Sequence, residues 1–472
     1  MPPAEIDLLT IARGTVTAPA GCGKTQLIAE ALVAYQGTKP ILILTHTNAG
    51  VASLRGRLEH AEVPAQRYRL YTIDGWSMRI ISTFPARSAH NPAILRLENA
   101  RGDYPAIRDA AWRLLQAGHV NEVIRASYAQ LIVDEYQDCS VPQHQIVYWL
   151  SAVLPTCVLG DPLQAIFGFQ GNALEDWTNA VCTHFPVVGE LQTPWRWRNA
   201  NAEALGQWLL HARRELIAGR SVDVRSGPDQ VKWVQLTGPE DHVQRLNAAR
   251  TASPTAEGRV LIIGDSINPS NQQNVASQTP GAVTVEAVDL RDLVAFGRNF
   301  DLASVNVVRD LLAFAQTVMV NLGIPVFLQR LESLTHGTAR NPASESEGLA
   351  LAFGRRPTYA AAADLLQSLR QQANVRAHRP EILRCAIKAL RLAATGLDTF
   401  QTTAVRVREE NRMLGRALPR RAVGSTLLLK GLEAEVAVIL NGDSLNAANL
   451  YVAMTRGSMR LVVCSVNPLL GR

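Results

Sequence analysis

Ala18-Pro19-Ala20-Gly21-Cys22-Gly23-Lys24-Thr25 ends in Gly-Lys-Thr between a β-prone run, Thr15-Val16-Thr17, and a helix-like run that begins at Gln26. A strand, a glycine-rich turn and a helix start in that order mark a phosphate-binding loop. Gly21 and Gly23 allow positive φ and bring backbone N–H groups close to phosphate oxygens, at a helix N-terminus whose dipole favours an anion. Lys24 then reaches the β and γ phosphates and Thr25 holds Mg²⁺ through its hydroxyl. Ala20, Gly21, Cys22, Gly23 and Gln26 complete the cradle. The strict pattern asks for Gly at position 18, where this chain has Ala.

Further along, Leu131-Ile132-Val133-Asp134-Glu135-Tyr136-Gln137-Asp138 is an apolar strand that stops at paired carboxylates. A short apolar run of this kind predicts a buried strand of a parallel sheet, with both acids at its carboxyl end, the edge where open α/β sheets bind ligands. Asp134 is the expected Mg²⁺ ligand, and Glu135 the residue that orients or deprotonates the attacking water. Val158-Leu159-Gly160-Asp161-Pro162-Leu163-Gln164 is again a strand that runs into a polar loop, with Gln164 a candidate γ-phosphate sensor. In the following Ala165-Ile166-Phe167-Gly168-Phe169-Gln170-Gly171, Phe167 and Phe169 are expected to stack on bases, with core packing the alternative for either ring.

On these segments the chain resembles the superfamily 1A helicases of the UvrD/Rep/PcrA type. Ala18 to Thr25 is similar to that family's AGAGSGKT, Asp134 to Asp138 to its DExQD, and Gly160 to Gly171 to its GDxxQSIYxFRG. Thr193-Pro194-Trp195-Arg196 is similar to NYRS, which implies that Trp195 stacks on adenine and Arg196 touches the γ-phosphate. Lys430-Gly431-Leu432-Glu433 resembles KGLE, placing Gly431 and Glu433 at the nucleotide. Leu450 to Arg456 resembles YVAMTR and gives Arg456 the second arginine-finger role. Leu44-Thr45-His46-Thr47-Asn48 and Thr72-Ile73-Asp74-Gly75-Trp76 resemble TFTNKAA and TIHSF, so His46, Thr47, Asn48, Asp74 and Trp76 are expected along the DNA path. The resemblance spans residues 18 to 456.

What it implies is an α/β fold of two RecA-like P-loop NTPase lobes with parallel sheets and small helical insert subdomains. The expected divisions are 1–194 (lobe 1A, with a reduced insert at about 82–129), 195–299 (start of lobe 2A), 300–421 (a reduced helical 2B-like insert) and 422–472 (end of lobe 2A). Arg196 and Arg456 would then face Lys24 and Glu135 across a cleft, so that closure completes the site. The polar run Asn268 to Gln278 is expected to be a flexible loop. The implied activity is ATP- and Mg²⁺-dependent 3′–5′ movement on single-stranded or partly duplex DNA, in DNA repair or anti-phage defence. The alternative is a DNA-stimulated ATPase switch without robust unwinding. The trimmed architecture also resembles the helicase subunit of the Gabija anti-phage system, which implies an OLD/TOPRIM-type nuclease partner.

The sequence departs from the family at several points. Met1 to Thr17 offers no clear glutamine to recognise adenine, Gln170 stands for an arginine, His46 for a phenylalanine and Leu427 for a histidine. Composition agrees with the reading: 472 residues, 47% hydrophobic, can bury sizeable cores, and a net charge of +6 favours polyanions weakly. Arg406, Arg408, Arg412, Arg416, Arg420 and Arg421 form either a phosphate track or a solvated helix face. The 6 cysteines lie without a CxxC pair, against a zinc or disulfide scaffold, and no leader or long apolar run is evident, so a cytoplasmic protein is expected.

Overall fold

The computed structural model describes residues 6–168, 173–265, 267–412 and 419–471. It divides into two compact units, residues 1–232 with 443–459 and 467–472, and residues 233–442 with 460–466. Residues 195–232 and 443–459, expected in the second lobe, therefore belong to the unit that carries the phosphate loop. Their partners explain this: the helix Ala447–Met454 reaches back to the loop through Tyr451, and Trp197 donates from its indole to the Gly457 carbonyl at 2.9 Å.

The first unit is built on a six-stranded sheet. Its strands are β1 (Arg13–Thr17), β2 (Ile41–Thr45), β3 (Tyr68–Thr72), β4 (Leu131–Val133), β5 (Thr156–Gly160) and β6 (Val187–Glu190), in the order β3-β2-β4-β5-β1-β6. All neighbouring pairs are parallel. β2, β4 and β5 are buried along their whole length because both faces are covered. Leu42 and Leu44 join Leu131, Val133 and Val158 in one core, while Ile41 and Ile43 join Ile132, Cys157 and Leu159 in the other. That alternation is the period of two expected of a strand between two layers.

Between β3 and β4 the chain forms the helices Ile73–Thr83, Pro85–Ser88, Ala100–Gln116 and Asn121–Ser127. Ile107, Ala111, Leu114, Leu115, Val120 and Ile124 pack into the first of the two cores, so the reduced insert is an extension of the α/β layer.

A second six-stranded sheet, most of whose residues fall in the second unit, is ordered Ala282–Thr284, Arg421–Gly424, Val260–Ile263, Ala434–Ile439, Gly457–Ser465, Val231–Gln235. The first four run parallel. A separate helical core spans Leu290 to Val407. Segment 268–278, expected to be a loop, is instead the helix Pro269–Gln278: Asn268 caps it through Ser270 N, Pro269 opens it, and Gln272 and Ala276 are buried. Its polar exposed residues hide a one-sided contact that composition does not reveal. Among the described residues no helix is long and apolar enough to cross a membrane.

Candidate nucleotide site

The phosphate loop leaves β1 and enters the helix Lys24–Ala34. Gly21 (φ 69°) and Gly23 (φ 85°) both take the left-handed backbone, and no side chain caps the helix at Gly23. Side chains would also find no room. A Cβ on Gly21 would stand 2.5 Å from Trp197 Cζ3, and one on Gly23 3.0 Å from Trp195 Cδ1. The loop is held from outside by Ala20 N, which donates to the Tyr451 hydroxyl at 3.1 Å, and by Gly21 O, which accepts from Arg196 N at 3.0 Å.

β4 delivers the two acids to the same edge. Lys24 Nζ lies 2.8 Å from Asp134 Oδ1 and 2.5 Å from Glu135 Oε1. Burial opposes the lysine charge, but the carboxylates of Asp134 and Glu135 outweigh it and hold the ammonium above its ordinary range. Burial likewise pushes Asp134 upward, and the attraction of Lys24 only partly reverses this. Glu135 adopts φ 55° and ψ 39°, a left-handed conformation that costs a non-glycine residue about 1–2 kcal/mol. The turn sends successive carboxylates to one ammonium, and the surrounding packing must supply that energy.

Behind Glu135 runs a chain of polar contacts. Gln137 Nε2 donates to Glu135 Oε2 at 2.6 Å, and Gln137 Oε1 accepts from Asp161 N at 3.1 Å. Asp161, 1% exposed, accepts from Gln164 Nε2 at 3.2 Å and from Arg213 Nε at 3.0 Å. Arg213 also reaches Glu190 at 2.6 Å. Arg213, Gln137, Tyr451 and Trp197 were not singled out as site residues from sequence. One signal for Arg213 does exist: the stripe Leu205, Leu209, Ala212, Leu216 of the helix Glu203–Ile217 has a cation beside it on the buried face.

Trp195 and Arg196 open the helix Trp195–Asn199 against the loop. Trp195 packs on Gly23, with the Arg198 guanidinium 5.5 Å from its ring centroid. Arg196 Nη1 donates to Thr455 O at 2.7 Å. Arg456 is 3% exposed and donates through Nε to Val452 O at 2.8 Å and through Nη2 to Thr455 Oγ1 at 3.1 Å. Both arginines thus stand in the unit that holds Lys24, where a facing lobe was expected. Gly431 (φ 80°) and Glu433 lie in the second unit, in the turn between Thr426–Leu429 and Ala434–Ile439.

The residues expected along DNA separate into three kinds. His46 and half-buried Phe167 come together, their ring centroids 5.7 Å apart. Thr47 caps the helix Asn48–His60 through Gly50 N, and Asn48 is exposed beside it. Asp74 and Trp76 need correction. The Asp74 carboxylate takes two hydrogen bonds of 2.7 Å from Arg108 and one of 3.2 Å from Gln143, so it latches the insert helix to the sheet layer. Trp76 is 1% exposed in the core, where its large apolar area serves packing and does not line a DNA path. Phe169 lies outside the described residues, as do Arg416 and Gln170.

The donor set fits a magnesium nucleotide: a Cβ-free cradle, a lysine held as ammonium, a threonine hydroxyl at the second helical position and a carboxylate beside them. Among comparisons with known proteins, the family model of the UvrD/REP helicase N-terminal domain matches residues 97–181, a minority of the chain that includes Asp134 and Glu135. No curated protein matches. Two solved structures are similar at 10% identity over 97% of this chain: Arterivirus nonstructural protein 10 (helicase) in complex with DNA, TM-score 0.36, and the same helicase crystallised alone, TM-score 0.31. The chain spans only 61% and 60% of those proteins.

Proposed function

We propose that this chain is an ATP-hydrolysing DNA helicase or translocase of the UvrD-like type, moving 3′–5′ on single-stranded DNA. The observation that carries the reading is Lys24 held between Asp134 and Glu135 under a loop whose Gly21 and Gly23 take the left-handed backbone and are crowded by Trp197 and Trp195. Lys24 binds the β and γ phosphates, and Thr25 and Asp134 would hold Mg²⁺, which neutralises phosphate charge. Glu135, fixed by Gln137, orients a water toward the γ-phosphoryl group and takes its proton. Gln164 senses the γ-phosphate, while Arg196 and Arg456 meet the charge that develops on the transferred group. Trp195 stacks on the base, and Gly431 and Glu433 are assigned to the nucleotide on the resemblance of Lys430 to Glu433 to the KGLE motif.

Turnover measured with no nucleic acid, single-stranded DNA, duplex DNA and RNA tests the reading. Single-stranded DNA is expected to accelerate hydrolysis. Lys24→Ala should weaken nucleotide binding and abolish turnover, whereas Glu135→Gln should keep binding and lose turnover by about 100-fold or more. Wild-type turnover in Glu135→Gln removes Glu135 from its role.

The burial of Trp76 and the pairing of Asp74 with Arg108 favour a second reading, a DNA-stimulated switch without robust unwinding. Strand displacement assayed beside ATP turnover separates the two. Placement in repair, or in defence beside an OLD/TOPRIM-type nuclease, extends the proposal and is tested by co-purification with the product of a neighbouring nuclease gene.

A further inference from the structure

Arg213 is a charged side chain buried where the proposed chemistry does not touch it. It lies 4% exposed on the helix Glu203–Ile217, outside the segments that carry the nucleotide motifs. An unpaired guanidinium at that depth would be costly, and it is retained here by two carboxylates of different standing. Asp161 has a fully buried side chain, while the Glu190 side chain is 44% exposed. The Asp161 contact therefore sits in the drier surroundings, where geometry is held most firmly.

Asp161 is where two lines of contact meet. Its Oδ2 accepts from Gln164 Nε2 at 3.2 Å, and its Oδ1 accepts from Leu163 N at 3.3 Å, which fixes the short turn Pro162–Gln164. Its own N–H holds Gln137 Oε1 at 3.1 Å, and Gln137 holds Glu135 at 2.6 Å. A Cβ on Gly160 would meet Gln137 Oε1 at 2.6 Å, so the glycine before Asp161 is needed for that amide to sit where it does. Arg213 thus anchors Asp161, whose carboxylate positions the candidate γ-phosphate sensor and whose backbone N–H, through the Gln137 amide, positions the candidate water-orienting acid. The same helix follows Trp195 and Arg196 directly in the chain, so any shift of that segment is conveyed to Asp161 through a short charged contact.

We propose that Arg213 is a positioning residue for phosphoryl transfer, acting through Asp161 on Gln164 and Glu135. The assignment rests on the hydrolase reading above. Its test compares the full-length wild type with Arg213→Gln, Arg213→Lys, Gln164→Ala and the double variant Arg213→Lys/Gln164→Ala. Each is measured for kcat and KM for ATP with saturating single-stranded DNA, for Kd of a fluorescent ATP analogue, and for melting temperature.

Arg213→Gln should lower kcat by about tenfold or more, with KM and analogue Kd within about twofold. Arg213→Lys should recover part of that loss, because an ammonium can still hold Asp161. In the double variant, Arg213→Lys should add little to the loss already caused by Gln164→Ala, since residues on one line of contacts are not additive. Losses that multiply, a kcat that stays within twofold of wild type, or Arg213 variants that both fail to fold overturn the assignment while leaving the hydrolase reading in place. A wild-type protein without turnover overturns both.

Discussion

At the scale of single residues, aromatic side chains do different work in different places, and burial decides which. Phe167 was expected to stack on bases and Trp76 to line the DNA path, yet Trp76 is 1% exposed inside the first unit while Phe167 is half-buried beside His46. Trp76→Ala should therefore cost about 3–5 kcal/mol of stability and lower all activities together. Phe167→Ala should leave the melting temperature near wild type and weaken single-strand binding about tenfold, the loss of one stacked base. Thermal melts and binding isotherms on the two variants check this, and Phe167→Ala that melts early yet binds normally per folded molecule would turn the ring into a packing residue. The placement of Lys24 beside Asp134 and Glu135 is legible in sequence because a glycine turn and an acidic strand end dictate local geometry. Arg213 and Tyr451 act across long loops, and nothing near them in the chain names their partners.

At the scale of elements, the parallel sheet of the first unit is legible because strands covered on both faces must be continuously apolar, as Ile41 to Leu44 and Leu131 to Val133 are. The helix Pro269–Gln278 is not, since its polar exposed surface masks the buried Gln272 and Ala276. The second unit's helical segment, expected as an insert at 300–421, is pinned within that unit. Arg379, 2% exposed, donates to Glu286 at 2.7 and 2.8 Å and to Asp292 at 2.6 Å. Arg376 donates to the carbonyls of Ala282 and Ser277, both at 2.7 Å. Burial raises the Glu286 carboxyl and Arg379 pulls it back, so removal of the arginine takes away the charge that offsets burial in a dry place. Arg379→Met should cost about 3–5 kcal/mol in denaturant unfolding, whereas Glu286→Gln/Arg379→Met should recover much of the loss. A single variant as stable as wild type would show the insert held by its apolar contacts alone.

At the scale of the whole molecule, each unit buries one histidine that must stay neutral, which ties the stability of both to acid. In the first unit, burial and then the neighbouring His184 lower His144 from 6.5 to about 4; its Nδ1 meets the Tyr136 hydroxyl at 2.7 Å and its Nε2 meets His184 Nδ1 at 2.8 Å. In the second, burial and then Arg379 and Arg376 lower His378 to about 4. Because both folded values lie below the unfolded value, the unfolded chain binds more protons between them. Stability is therefore complete above pH 6.5 and falls as pH drops toward 4, with no further loss from these groups below that. Each histidine contributes a slope of at most about 1.4 kcal/mol per pH unit, or about 3 kcal/mol across the window. Carboxylates held low by partners, such as Glu347 beside Arg330, give up their share only below the ordinary value of 4.5, whereas the raised Asp134 and Glu286 act in the opposite sense above their ordinary values, so the comparison with the histidine variants isolates the imidazoles. Denaturant unfolding between pH 7 and 5, read for wild type, His144→Gln and His378→Gln, should show each variant with a shallower slope than wild type by about one proton, whatever its absolute stability. If a variant keeps the wild-type slope, that histidine is already charged in the folded protein, and its unit owes its acid sensitivity to other groups.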